Sequence, residues 1–159
     1  MSAGSTFLRC LLGCLLFAAF VGETWASSCP PQWLYYRGYC YGYFTHRKTW
    51  DEAERECERY GPRGRLASIH TLQERKALSK YISQHMDHEN TWIGLHDEDH
   101  DRSWKWSDNS ILNVMVWAQG QPDDDNNENC VVMESSSGFQ EWHNYPCDSP
   151  FPFLCKFRL

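Results

Sequence analysis

The chain has 159 residues, of which 42% are hydrophobic and 15% aromatic, and its net charge is −6. That length fits one domain. The acidic balance, with no run of basic residues, argues against nucleic acid as a partner, and no apolar run reaches the roughly 20 residues that span a bilayer.

The first element is a leader. Cys10 to Val21 (CLLGCLLFAAFV) is apolar, Arg9 stands just before it, and the small residues Ala26, Ser27 and Ser28 follow. This is the pattern of a cleaved secretory signal peptide over residues 1–26, with residues 27–159 as the mature domain in the extracellular space. Eight cysteines are present, and Cys10 and Cys14 fall in the leader. The remaining six are Cys29, Cys40, Cys57, Cys130, Cys147 and Cys155. An even number in a small secreted chain argues for disulfides, and counting alone leaves about 15 pairings open. No CxxC pair supports zinc.

Trp33 to Tyr36 reads as a strand, Arg37-Gly38 as a turn, and Tyr39 to Phe44 as the second strand of a hairpin. Cys29 and Cys40 sit at its two ends, close enough to bridge. Thr49-Trp50-Asp51-Glu52 fits a capping box. Trp50, Ala53, Cys57 and Tyr60 follow at helical spacing on one face, and Gly61-Pro62 stops the helix. The opposite face, Asp51, Glu54, Arg55, Glu58 and Arg59, reads as solvated. Leu66 to Ile69 is a short strand. Thr71-Leu72-Gln73-Glu74 is a second capping box, opening a helix to about Gln84 with Leu78, Tyr81 and Ile82 as its buried stripe. His85 and His88 near its end read as polar residues at a helix C-terminus, where positive charge is favoured, rather than as a metal pair. Thr91 to Leu95 is a buried strand.

The stretch from Gln121 to Cys147 (QPDDDNNENCVVMESSSGFQEWHNYPC) carries the chemistry. It opens on a turn crowded with carboxylates and amides. Two apolar runs follow, Cys130 to Met133 and Phe139 to Trp142, both read as strands. Oxygen-rich sites of this kind suit a hard cation such as calcium. No Ser–His–Asp or Cys–His pattern stands out, so the chain is not expected to be an enzyme.

Together these segments resemble the C-type lectin-like domain. The resemblance rests on Trp33, Cys40 to Phe44, the Trp50/Ala53/Cys57 helix, Leu66 to Ile69, the WIGL tetrapeptide at Trp92 to Leu95, Trp104 to Asp108, Gln121-Pro122-Asp123, Cys130, Trp142, Cys147 and Phe153-Leu154-Cys155. It covers essentially all of residues 27–159 and looks most like the small secreted members: regenerating-protein-type, eggshell and snake-venom lectins. It implies an α+β fold with two helices, two small antiparallel sheets and a long looped-out region. It also implies the pairing Cys29–Cys40, Cys57–Cys155 and Cys130–Cys147.

In that family a triplet with a central cis proline, a Glu before a cysteine and an Asn-Asp pair after a Trp hold one calcium, and the same oxygens bind vicinal sugar hydroxyls. By resemblance Gln121, Asp123, Glu128 and Asn144 are therefore the ligands of both metal and carbohydrate, and Pro122 is the cis proline. The QPD form goes with galactose. This sequence departs from the pattern at its last pair, where His143 and Asn144 stand in place of Asn and Asp. Histidine is a poor ligand for a hard cation and Asn144 lacks a charge. The resemblance thus implies a secreted lectin with a weak Ca2+ site. Its partners would be galactose-type or mannose-type glycans, on a cell-surface glycoprotein or receptor among other carriers. The alternative is a lectin-like domain that binds glycan or protein without calcium. An auxiliary calcium site would draw on Asp97, Asp101, Asp124, Glu128 and Asn129, but the Asp97 to Asp101 run reads first as a solvated turn.

Overall fold

A computed structural model of the chain describes residues 28–123 and 127–159. The expected leader, with Cys10 to Val21 and the cleavage point at Ala26, lies outside the described residues. The hairpin forms as β1 (Leu34–Tyr36) and β2 (Tyr39–Lys48). Arg37 and Gly38 both adopt positive φ at its turn, a conformation that glycine reaches without steric penalty.

Helix α1 (Trp50–Cys57) opens on the predicted capping box: Glu52 N–H donates to the Thr49 hydroxyl and the Glu52 carboxylate accepts from Thr49 N–H. It buries Trp50, Ala53 and Cys57 as the spacing predicts. The opposite face is not wholly solvated, because Glu54 turns inward. Its carboxylate accepts from Leu66 N–H at 2.8 Å and pairs with Arg65 at 3.3 Å. Burial pushes this carboxyl up from 4.5 to about 6, against the opposing pull of the Leu66 N–H. The folded state therefore holds this proton more tightly than the unfolded chain. The stabilisation is complete below about pH 4.5 and is lost as pH rises through about 6. Glu54→Gln is expected to remove this slope, worth about 2 kcal/mol between pH 4.5 and 7. Urea midpoints across that range measure it.

Strand β3 (Arg65–Leu66) is shorter than predicted. The second helix, α2 (Leu72–Ile82), has half of its predicted capping box. Thr71 accepts from Glu74 N–H at 2.9 Å, but the Glu74 carboxylate accepts from His70 N–H at 2.7 Å instead of the cap's own amide. Glu74 is buried and its carboxylate also accepts hydrogen bonds from the Tyr41 hydroxyl and the Lys156 ammonium. Leu78 and Ile82 are buried, Tyr81 half-buried. The His85 ring packs over Tyr43 at 4.8 Å, and His88 is exposed.

Strand β4 (Thr91–His96) is the central strand, and Trp92 to Leu95 are all buried. Its Trp92 indole donates to Lys48 O at 2.9 Å, and the Trp50 indole donates to Ile93 O at 2.8 Å. These bonds let two large rings be buried with their polar atoms satisfied. The glycine of WIGL has a packing reason: a Cβ on Gly94 would lie 2.7 Å from the Leu66 carbonyl oxygen. Strands β5 (Lys105–Trp106), β6 (Cys130–Met133), β7 (Trp142–Tyr145) and β8 (Phe151–Arg158) follow. The predicted strand from Phe139 begins only at Trp142. Ser135–Ser137 form a 3-10 turn, and Phe139 leaves it at φ 61, a left-handed conformation outside strand geometry.

The sheet order is β1-β2-β8-β4-β6-β7, with β3 on β8 and β5 on β4. The ladders of the two predicted antiparallel sheets meet where β4 runs parallel to β8, Trp92 opposite Phe153. All three disulfides pair as the resemblance implies: Cys29–Cys40, Cys57–Cys155 and Cys130–Cys147. Between β5 and β6 runs the long loop. It is pinned to the sheet at Trp117, which bridges Trp142, and by Trp142 N–H to Val116 O and Ala118 N–H to Trp142 O. None of the helices among the described residues is long and apolar enough to cross a membrane.

Candidate functional site

Strand β7 is the inner wall of the site. Its register is set by antiparallel pairing with β6, Val131 opposite Asn144 and Val132 opposite His143. The Cys130–Cys147 bond ties these strands together. Side chains alternate across a strand, so Asn144 is fully buried while His143 and Tyr145 are half-exposed.

The long loop then folds back over Asn144. Gln121 N–H donates to Ala118 O at 2.9 Å, and the Gln121–Pro122 peptide bond is cis. The Gln121 side-chain oxygen accepts from Asp123 N–H at 3.3 Å and Asn144 N–H at 3.4 Å. The Asn144 amide works in both senses. Its oxygen accepts from Asp123 N–H at 3.1 Å, and its NH2 donates to the Asp123 carboxylate at 3.2 Å and to Glu128 O at 3.0 Å. Gln121, Asp123 and Asn144 thus lie together, with the Glu128 backbone drawn in beside them. Residues 124–126 of the same turn, including Asp124 and Asp125, lie outside the described residues.

Two further residues enter here: Arg102, which sequence reasoning did not single out, and His143, which it read only as a poor ligand for a hard cation. Arg102 donates a guanidinium N–H to the Asp123 carbonyl. His143 bonds the Asn144 carbonyl through Nδ1 at 3.0 Å, which assigns the ring proton to that nitrogen. The only sequence signal for Arg102 was one cation directly after the acidic run from Asp97 to Asp101. That run is not simply a solvated turn. Asp97 is 2% exposed, and its carboxylate accepts from Asp101 N–H at 3.3 Å and Arg102 N–H at 2.9 Å.

A calcium ion takes about six to eight oxygen ligands turned toward one centre. Here the amide oxygens of Gln121 and Asn144 already accept from backbone N–H groups. Three N–H-bearing side chains, Asn144, His143 and Arg102, point at the carboxylate and carbonyls of the site. A donor group aimed at a ligand oxygen repels a cation from that place. As arranged, the described residues do not fit calcium. Among them no three His, Cys, Asp or Glu side chains converge to hold a metal ion.

A second cluster has the look of catalysis and is not built for it. Ser68 Oγ lies 3.1 Å from His70 Nε2, and His70 Nδ1 lies 3.1 Å from Asn113 Oδ1. Ser68, however, is fully buried, donates its proton to Asp108 at 2.5 Å and accepts from Lys156 Nζ at 3.2 Å. It is a buried brace between β8 and the chain around Asp108.

A small disulfide-braced sheet that presents one polar loop is the architecture that the comparisons match. The family described as Lectin C-type domain matches residues 46–157. A C-type lectin of Cerberus rynchops is 43% identical over 135 residues, covering 84% of this chain and 85% of the relative. Human lithostathine superposes with a TM-score of 0.79 at 38% identity, covering 82% of this chain and 100% of that one. A calcium-independent type II antifreeze protein superposes at 0.73 with 26% identity, covering 82% and 95%. The chain belongs to the C-type lectin domain family. Domains of this family commonly hold Ca2+, and relatives that do without it exist.

Proposed function

We propose that this chain is a secreted glycan-binding protein that recognises sugar hydroxyls at Gln121, Asp123 and Glu128, with the buried Asn144 holding them from beneath, without requiring calcium. The observation that carries this reading is Asn144, whose buried amide donates into the Asp123 carboxylate and the Glu128 carbonyl and so holds the loop from within. Residues 1–26 act as the signal peptide and residues 27–159 as the mature lectin domain. The three disulfides are consistent with an oxidising, extracellular setting. The role is binding, not catalysis, and the partners are galactose-type or mannose-type glycans on cell-surface glycoproteins or receptors.

Calcium titration tests the reading, with Glu128→Gln as control. The expected result is no saturable heat at or below about 1 mM calcium, the weak range of extracellular modules. Retention on galactose- or mannan-bearing beads is expected to be equal in CaCl2 and EDTA. Retention lost in EDTA, with calcium heat abolished by Glu128→Gln, would establish the weak-calcium lectin instead.

A further inference from the structure

We infer that Arg102 and Asn144 form a metal-free clamp on the glycan-binding loop, with Asp97 as the residue that positions Arg102. The inference deepens the proposed function, since it concerns how that same site is held.

Arg102 is set in place by an unusual turn. His100 and Arg102 both adopt positive φ, 56° and 70°, a conformation disfavoured for residues with a Cβ and maintained only where surroundings impose it. Asp97 imposes it. Its carboxylate takes the N–H groups of Asp101 and Arg102, and its own N–H donates to Asn129 O at 2.8 Å. That last bond stitches the end of β4 to the chain just before β6. His100 adds a second stitch, its Nδ1 lying 2.9 Å from the Asn129 side-chain nitrogen. The turn is therefore anchored at the mouth of the same loop that Arg102 reaches.

From this anchor the Arg102 guanidinium donates to the Asp123 carbonyl, while Asn144 on β7 donates to the Asp123 carboxylate and to Glu128 O. One cationic donor and one amide donor, from separate elements, draw together oxygens of both branches of the loop. Gathering carbonyls and carboxylates around a positive centre is what a bound cation would do there. A guanidinium does it with a permanent charge and fixed N–H directions. Hydrogen bonds of this charge-assisted kind are the stronger ones. Asp123 and the Glu128 backbone are in consequence held without calcium, before ligand arrives.

The test uses the disulfide-intact mature domain, with CaCl2 alone and galactose- and mannan-bearing beads as probes. Near-UV circular dichroism first establishes that each variant is folded. Arg102→Gln is expected to speed hydrogen exchange at the Asp123 and Asn144 amides about tenfold, the loss of one charge-assisted hydrogen bond. Arg102→Lys, which keeps the charge but not the fixed N–H directions, is expected to restore part of the protection, which a purely steric role for Arg102 would not predict. Wild type is expected to melt at the same temperature in CaCl2 and EDTA. The double variant Arg102→Gln/Asn144→Asp, which removes both donors and adds a carboxylate, is expected to gain a calcium-dependent rise of several degrees. Unchanged exchange in Arg102→Gln would overturn the clamp. So would a calcium-dependent melting rise in wild type, or a folded double variant that ignores calcium. Failure of the glycan reading is separate: wild type retained by neither bead in either buffer would sink that reading, while exchange and melting still judge the clamp.

Discussion

Lys156→Met is expected to destabilise the domain by about 3–5 kcal/mol, because it strands a carboxylate in the core. Lys156 and Glu74 are 6% and 5% exposed, with Nζ 3.3 Å from Oε1. Burial is the largest influence on Lys156 and lowers its pKa, with Glu74 and Asp108 opposing it. The ammonium also donates to Ser68 O at 2.9 Å and lies 4.4 Å from the centre of the Tyr39 ring. Tyr41 supplies one hydrogen bond to Glu74 and His70 N–H another. The Lys156→Met variant leaves those two donors in place but removes the countercharge. Glu74→Gln/Lys156→Met removes both charges at once and is expected to recover more than half of the loss, since the penalty lies in the uncompensated ion. Guanidinium denaturation followed by tryptophan fluorescence measures both. A loss under about 1 kcal/mol for the single variant would show that the carboxylate sheds its charge or finds water.

The pair also illustrates what could be read from the chain. The helix at Leu72–Ile82 was legible because a capping residue and a periodic apolar stripe are local signals. The direction of Glu74 was not. A Glu three residues after a Thr serves a capping box when solvent surrounds it, but here it meets Tyr41 and Lys156, 33 and 82 residues away in sequence. Glu54 was misread for the same reason, since its partner Leu66 N–H belongs to a strand packed over α1. The strand run from Phe139 failed because apolar residues alone do not report the left-handed turn that precedes Trp142. At the site, Gln121, Asp123 and Asn144, named by resemblance, lie together as hydrogen-bonded neighbours. The amide donors and Arg102 were invisible in the sequence because hydrogen-bond direction is fixed only when the loop folds back on β7.

The disulfides give the second large effect, and they separate stability from site integrity. Cys57→Ala/Cys155→Ala is expected to cost about 4–5 kcal/mol, because the bond closes a loop of 98 residues and the unfolded chain gains that freedom when it is cut. The Cys130–Cys147 bond closes only 17 residues, so the expected loss for Cys130→Ala/Cys147→Ala is smaller, about 3 kcal/mol. Their order reverses at the candidate site. Cys57–Cys155 joins α1 to β8, which β4 and β6 separate from β7 in the sheet order. Cys130–Cys147 spans the start of β6 and the residue whose carbonyl receives the Trp50 N–H at 2.9 Å, and so frames the strand that carries Asn144. The larger stability loss should therefore leave the hydrogen exchange of the Asp123 amide nearly unchanged under conditions where the domain stays folded. The smaller one should accelerate it. Urea midpoints and amide exchange on the two double variants measure both quantities. Equal acceleration in the two would mean that the loop is held by global stability alone and not by the local register of β6 and β7.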